Sequence, residues 1–301
     1  MATAAEPRPA ELPLPGGRPG ATVRLHPLLV ARTTAPPAWF HREEGRLARF
    51  KAFGIRVPRE RWLEVPVVAF LVEHPLAGPI LIDTGLDPAV ATDPKAAFGR
   101  LGGLIFKDVR MEADQAVAAQ LRERGIQPAD VAIVVMTHLH SDHAGGIPDF
   151  PESTFVVSGK EWDTAASSGQ LQGYVARQYE RAFDWRTLDF DGPAAESFAT
   201  FGRSFDLLGD GSLRLVFTPG HTLGHLSAVL RLGDGEAVVA GDAIYTLRTL
   251  RRSDPPYRMA DEHLFRRSLR ELQLYEKETA NALVIAGHDM EQWRSLPGVI
   301  E

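Results

Sequence analysis

The chain has 301 residues, of which 44% are apolar and 24% charged, with a formal net charge of −6 and no cysteine. This is ordinary globular composition with enough apolar material for a sizeable core, and its acidity argues against a nucleic-acid surface. Without cysteine there are no disulfides, thiolate nucleophiles or thiolate metal ligands, and a cytoplasmic location is expected.

No apolar run approaches the roughly 18 residues that a membrane-spanning helix needs, so no membrane partner is expected. Residues 1–20 are rich in Ala, Pro and Gly and lack the apolar segment of a secretory signal. They are expected to be a disordered arm ahead of one domain over 21–301. Residues 22–30, with Val23, Leu25, Leu28 and Leu29, predict a first strand. The segment 31–64 is irregular, with Pro36-Pro37, Trp39-Phe40, Phe50 and Phe53, and fits either a loop over a pocket or packed coil. Residues 65–72 and 79–83 predict two strands joined by a turn with Pro75 and Gly78, hence a hairpin. Asp83 closes the second strand, where it could orient a ligand histidine or simply turn the chain. Residues 86–111 look like loop. Ala113, Val117, Ala118 and Leu121 give 112–124 a helical face that Gly125 ends.

The apolar run 131–136 reads as a buried strand delivering Thr137-His138-Leu139-His140-Ser141-Asp142-His143-Ala144-Gly145-Gly146. After a strand at 155–157, Ser158 and Glu161 fit a capping box opening a helix, and a second helix is predicted at 171–182. A strand at 213–217 leads to Thr218-Pro219-Gly220-His221-Thr222-Leu223-Gly224-His225. Strands at 226–232 and 237–240 follow, the latter ending at Gly241-Asp242-Ala243-Ile244-Tyr245. Asp261 should cap a helix reaching about Glu276, with Leu264, Phe265, Leu269, Leu272 and Tyr275 inward. The strand 282–286 runs into Gly287-His288-Asp289.

One grammar repeats: an apolar strand, a turn, then His or Asp, at 138–143, 221, 242 and 288. Polar groups at successive strand ends converge on one edge of a sheet system. Imidazoles and carboxylates are the ligands that zinc and similar cations take. His138, His140 and His221 could hold one ion and Asp142, His143 and His288 a second. Asp242, with two oxygens, could bridge them. Such a pair activates a water for attack on an electrophilic carbon or phosphorus. His225 is expected to brace its loop by hydrogen bonds rather than touch metal, and His26, His41, His74 and His263 receive no role.

Through THLHSDHAGG, TPGHTLGH, GDAIY and GHDMEQ the chain resembles the metallo-β-lactamase superfamily from about Val65 to Gln292. Tyr245, three residues after Asp242, and the ending GHDMEQ are similar to the N-acyl-homoserine lactone lactonases within it. The resemblance implies an α+β fold, a four-layer αββα sandwich with metals at one sheet edge. It also implies two divalent cations, zinc first, with cobalt, manganese or iron as alternatives. The implied activity is opening of an acyl lactone, a small-molecule substrate, by a metal-bridging hydroxide. Tyr245 would stabilise the oxyanion, and Asp142 would return a proton to the leaving oxygen. Phe98, Leu101 and Phe106 are candidates for an acyl groove. A homodimer stays open.

Three departures stand out. The N-terminal arm is longer, Ser141 replaces a bulky aromatic seen in some lactonases, and extra helical material could lie between His143 and His221. A glyoxalase-type thioesterase would need a C-terminal helical domain, and only 13 residues follow His288. Organophosphate, thioester and other ester substrates are the alternatives, and a metal-binding sensor without turnover is the reading from another class.

Overall fold

The computed structural model describes residues 6–94, 97, 108–180 and 184–301. Among these, one sheet of seven strands runs in the order β1 (Arg8–Pro9), β7 (Asp184–Leu188), β6 (Thr154–Ser158), β5 (Ile133–Val135), β4 (Gly78–Ile82), β3 (Leu63–His74), β2 (Arg24–Ala35). The second sheet has six: β13 (Ala282–Ile285), β12 (Glu236–Val239), β11 (Leu226–Arg231), β10 (Leu213–Phe217), β9 (Phe201–Asp206) and β8 (Glu196–Phe198).

Side chains alternate across a strand, and this alternation sorts the apolar residues into layers. Val68, Phe70, Val72, Ile80, Ile82, Val135 and Val156 face the other sheet and meet Leu215, Phe217, Leu226, Ala228, Leu230 and Val239. Their neighbours Leu71, Leu81, Val134, Phe155 and Val157 face outward. They are covered by Val117, Ala118 and Leu121 of α1 (Val117–Glu123) and by Ala165 of α2 (Gly159–Ser167). Beyond the second sheet, Val216, Val229, Val238 and Val284 pack on Phe265, Leu269, Leu272 and Tyr275 of α3 (Glu262–Glu278). The fold is the expected four-layer αββα sandwich. The Asp261 carboxylate caps α3, accepting from the Leu264 amide at 2.9 Å.

β3 and β4 form the antiparallel hairpin, and β4, β5, β6 and β7 then run parallel. Asp83 and the 137–143 stretch therefore leave adjacent parallel strands at the same end. In the second sheet β12 and β13 are also parallel, so Asp242 and His288 leave together. β10 is antiparallel to β11, which is antiparallel to β12, so His221 emerges at that end too.

Several expectations need correction. The stretch 1–20, expected to be a disordered arm, is ordered over its described residues 6–20. β1 adds in parallel to β7, and the Leu14 amide donates to the Leu207 carbonyl at 2.8 Å. Ala10, Leu12 and Leu14 pack against the inter-sheet core. An edge strand leaves backbone groups unpaired, and the arm satisfies those of β7. The first strand reaches Ala35 rather than residue 30, because it pairs along the length of β3. The helix expected at 171–182 is instead two 3-10 turns, Gln170–Gln172 and Ala176–Gln178, as far as the described residues go. Gly173 separates them at φ +104°, which a helix cannot accommodate. A Cβ there would lie 2.7 Å from Cδ2 of His140, so the chain passes directly over that ring.

Candidate metal centre

His138, His143, His221, His288 and Asp242 are buried, and His140 and Asp142 are partly exposed. Their hydrogen bonds fix where each imidazole carries its proton. His143 Nδ1 lies 2.7 Å from Asp83 Oδ2, and His288 Nδ1 lies 2.9 Å from the Pro66 carbonyl oxygen. Carboxylate and carbonyl only accept, so both Nδ1 atoms donate, and in the neutral rings both Nε2 atoms keep their lone pairs. His138 Nδ1 lies 3.1 Å from Thr137 Oγ1, whose hydroxyl in turn donates to Asp83 Oδ2 at 2.8 Å. Its Nε2 lone pair is therefore free as well. His221 Nδ1 faces the Tyr245 hydroxyl at 3.0 Å.

These free nitrogens turn inward. His138 Nε2 and His221 Nε2 lie 3.1 and 2.9 Å from His140 Nδ1. Asp242 sits between two groups. Its Oδ2 is 3.2 Å from His221 Nε2 and 3.8 Å from His138 Nε2. Its Oδ1 is 3.4 Å from His143 Nε2 and 3.2 Å from His288 Nε2. Asp142 Oδ2 joins the second group, 3.6 Å from His288 Nε2 and 3.9 Å from His143 Nε2. In each of three sets the ligand atoms lie within 4.8 Å of one another: His138, His140, His221; His138, His143, Asp242; and Asp142, His143, His288.

Electrostatics fits cations on both sides of Asp242. Burial, with the neighbouring imidazoles, holds His138 and His221 well below the usual histidine range, and burial lowers His140 to about 4. These rings stay neutral, as metal ligands must. Burial also depresses His143 and His288, but the carboxylates around them outweigh it and raise both: Asp83, Asp242 and Asp142 at His143, Asp242 and Asp142 at His288. Burial alone would raise Asp242, yet His288, His221 and His143 bring it well below the carboxylate range. His143 Nε2 and Asp242 Oδ1 are buried with no hydrogen-bond partner. Such orphaned polar atoms are costly unless something else satisfies them, and a divalent ion does so.

Asp83 performs the orienting role weighed for it. It accepts from the Thr137 amide at 2.8 Å as well as from His143 and the Thr137 hydroxyl. Its backbone sits at φ +60°, a left-handed conformation that Asp tolerates better than most side chains. His225 braces its loop. Its Nε2 accepts from the Asp242 amide at 3.0 Å, so Nδ1 carries the proton and donates to Thr218 Oγ1, also at 3.0 Å.

A family profile described as Metallo-beta-lactamase superfamily matches residues 62–288. The chain belongs to the metallo-β-lactamase superfamily. Among curated proteins of the superfamily, it is 35% identical over 236 residues to the N-acyl homoserine lactonase AttM of Azorhizobium caulinodans, covering 77% of this chain and 85% of that one. It is also 35% identical to the AttM of Agrobacterium fabrum, over 76% and 84% of the two chains. A solved structure of a B. thuringiensis AiiA mutant with N-decanoyl-L-homoserine bound at the active site superposes with a TM-score of 0.71. That match has 21% identity and covers 92% of this chain and 97% of the other. A metallo-β-lactamase fold with His and Asp clusters of this kind is a site for divalent metal ions.

Of the segment 31–64, residues 31–35 and 63–64 belong to β2 and β3, and Phe40 between them packs against the centre. Phe40 packs edge-on against Tyr245, 5.2 Å between ring centroids, and against His288 at 6.3 Å. Between His143 and His221 the 3-10 turn at 170–172 and Gly173 lie over His140, with Tyr174 stacked edge-on at 4.7 Å. Phe98, Leu101 and Phe106 lie outside the described residues. Sequence reasoning missed Glu161 and the Pro66 carbonyl. The Ser158 side chain makes no cap bond, and the Glu161 carboxylate turns instead into the protein, where it is 0% exposed. A backbone carbonyl acting across the fold leaves no signal in sequence.

Proposed function

We propose that the chain is a dinuclear metal-dependent hydrolase that opens the lactone ring of N-acyl-homoserine lactones. One observation carries the reading: histidine nitrogens converge on both sides of Asp242, with the Nδ1 protons of His143 and His288 held outward by the Asp83 carboxylate and the Pro66 carbonyl. In this reading His138, His140 and His221 hold one ion, Asp142, His143 and His288 the other, and Asp242 bridges. Bound there, two divalent cations, zinc first among them, would supply Lewis acidity and an activated water. The AttM relatives, named N-acyl homoserine lactonases, support the lactone as substrate.

The chain's own residues supply the rest. With His221 Nε2 facing inward, its Nδ1 donates to the Tyr245 oxygen, which leaves the phenolic proton free for a carbonyl oxygen gaining charge. Burial first, and then the charges of Asp242 and Asp142, raise Tyr245 well above the usual phenol range, so it remains a donor. Asp142, its side chain 32% exposed while Asp242 is 4% exposed, is the carboxylate placed to pass a proton to a departing ring oxygen. Phe40 closes the wall beside Tyr245 and His288 against water. The acyl chain is assigned to the apolar side chains Phe98, Leu101 and Phe106.

Zinc-loaded protein should release a carboxylate from acyl-homoserine lactones of several chain lengths, faster than from thioester and phosphotriester controls, in a pH-stat assay. Absence of lactone opening with two ions bound per chain would overturn the assignment. Preferential phosphotriester turnover would move it to the organophosphate hydrolases.

A further inference from the structure

We propose that Glu161 is a positioning residue that sets the spacing of the three-histidine half of the centre; this rests on the metal-centre reading above. Glu161 opens α2, yet its carboxylate is fully buried. Burying a carboxylate is costly unless hydrogen bonds compensate. Here four donors do so. Oε1 accepts from the Leu139 amide and from the Tyr174 hydroxyl, each at 3.0 Å. Oε2 accepts from Thr222 Oγ1 at 2.5 Å, and the Gly224 amide also donates to the carboxylate.

The identity of these donors gives the role. Leu139 lies between His138 and His140, and Thr222 follows His221. One carboxylate therefore ties together the two loops that bring the three imidazoles to one point. Tyr174 adds the segment lying over His140, whose Gly173 carbonyl accepts from the Ser141 amide at 3.0 Å. The His221 loop also seats on the helix itself. A Cβ at Gly224 would lie 2.0 Å from the Glu161 amide nitrogen, so only glycine permits that approach. The other half is held differently: His143 through Asp83 and His288 through the Pro66 carbonyl. Loss of Glu161 should thus weaken one ion site and spare the other. It touches no substrate and acts only through the ligand loops.

The test is a stepwise Co2+ titration of the metal-free full-length chain, followed by visible absorption, which reads the two sites separately and does not depend on the substrate. Glu161→Gln keeps the shape but presents N–H groups to donors. It should weaken the site built from His138, His140 and His221 by about 10- to 100-fold while the other shifts by no more than about twofold. Tyr174→Phe keeps the ring, removes one donor, and should give a smaller loss at the same site. It decides the matter if Glu161→Gln does not fold. Tyr275→Phe, which removes the bond from α3 to Glu236 at the start of β12, controls for general destabilisation and should leave both sites unchanged. Equal weakening of both sites, or unchanged Co2+ binding in both Glu161→Gln and Tyr174→Phe, would overturn the proposal. Wild type binding fewer than two ions would instead overturn the metal-centre reading beneath it.

Discussion

The chemistry is decided by which nitrogen of each histidine faces inward, and at His143 and His288 that is set by groups which only accept. Asp83 is the clearest case. Asp83→Ala releases His143 Nδ1 and the Thr137 amide and hydroxyl together, so metal affinity should fall about 10- to 100-fold in a competition titration. Tyr245→Phe removes the phenolic donor and leaves every proposed ligand in place. It should lower kcat for lactone opening by about 100-fold with KM little changed. A substantially smaller loss would assign the hydroxyl to holding His221 rather than to the oxyanion. His41 tests protonation away from the ions. Burial, with Arg248 nearby, lowers it to about 4, and its Nε2 meets Thr246 Oγ1 at 2.8 Å. An unfolded histidine takes up its proton near 6.5, so this stability is full above that pH and is lost as pH falls toward about 4. The unfolding free-energy gap between wild type and His41→Gln should therefore narrow on acidification across that window. At this scale the seven candidate ligands and Asp83 were legible because they recur in the short turns that follow apolar runs. Glu161 was not, because Ser-x-x-Glu reads locally as a cap while its actual partners Leu139 and Thr222 lie 22 and 61 positions away.

Elements were legible where periodicity alone decides them. The runs 65–72 and 213–217 are legible as strands from their apolar content, and in the fold their alternate residues meet between the sheets and on the outer faces. The register that brings the strand ends to one edge was inferred from the repeated strand, turn and ligand order, and the parallel pairing of β12 with β13 accounts for it. The segment 171–182 failed the same treatment. Its composition permits a helix, but Gly173 must adopt positive φ to pass over His140, a tertiary demand that local propensity does not contain. α3 shows the opposite case, in which a local signal and the fold agree. Asp261→Ala should cost about 1 kcal/mol in equilibrium denaturation, since the Leu264 amide loses its acceptor at a helix start. Its bound cations should be unaffected, because the Asp261 side chain caps α3 and contributes no ligand atom.

Across the whole molecule, one end carries the metal centre and the other is tied shut. At the far end, the turn between β9 and β10 meets the β3–β4 hairpin and the N-terminal segment. His74 Nδ1 accepts from the Leu76 and Ala77 amides, so its Nε2 donates to Asp210 Oδ2 at 3.0 Å. The same oxygen accepts from the Arg18 amide at 2.7 Å. Asp210 thus joins the first sheet, the second sheet and the segment that was expected to be a disordered arm. That expectation followed composition, which is rich in Ala, Pro and Gly, whereas the order comes from the free edge of β7 and the apolar seam that accepts Leu12 and Leu14. Deleting residues 1–20 should therefore destabilise the fold by on the order of 2 kcal/mol, from lost partial burial of those two side chains. The candidate metal ligands lie past the opposite end of β10, so metal content and lactone turnover per folded chain should be retained. Urea unfolding with metal analysis on the same samples separates the two effects. Unchanged stability would mean that the arm contributes nothing to the fold. A loss of bound metal at full folding would mean that the two ends of the sandwich are coupled.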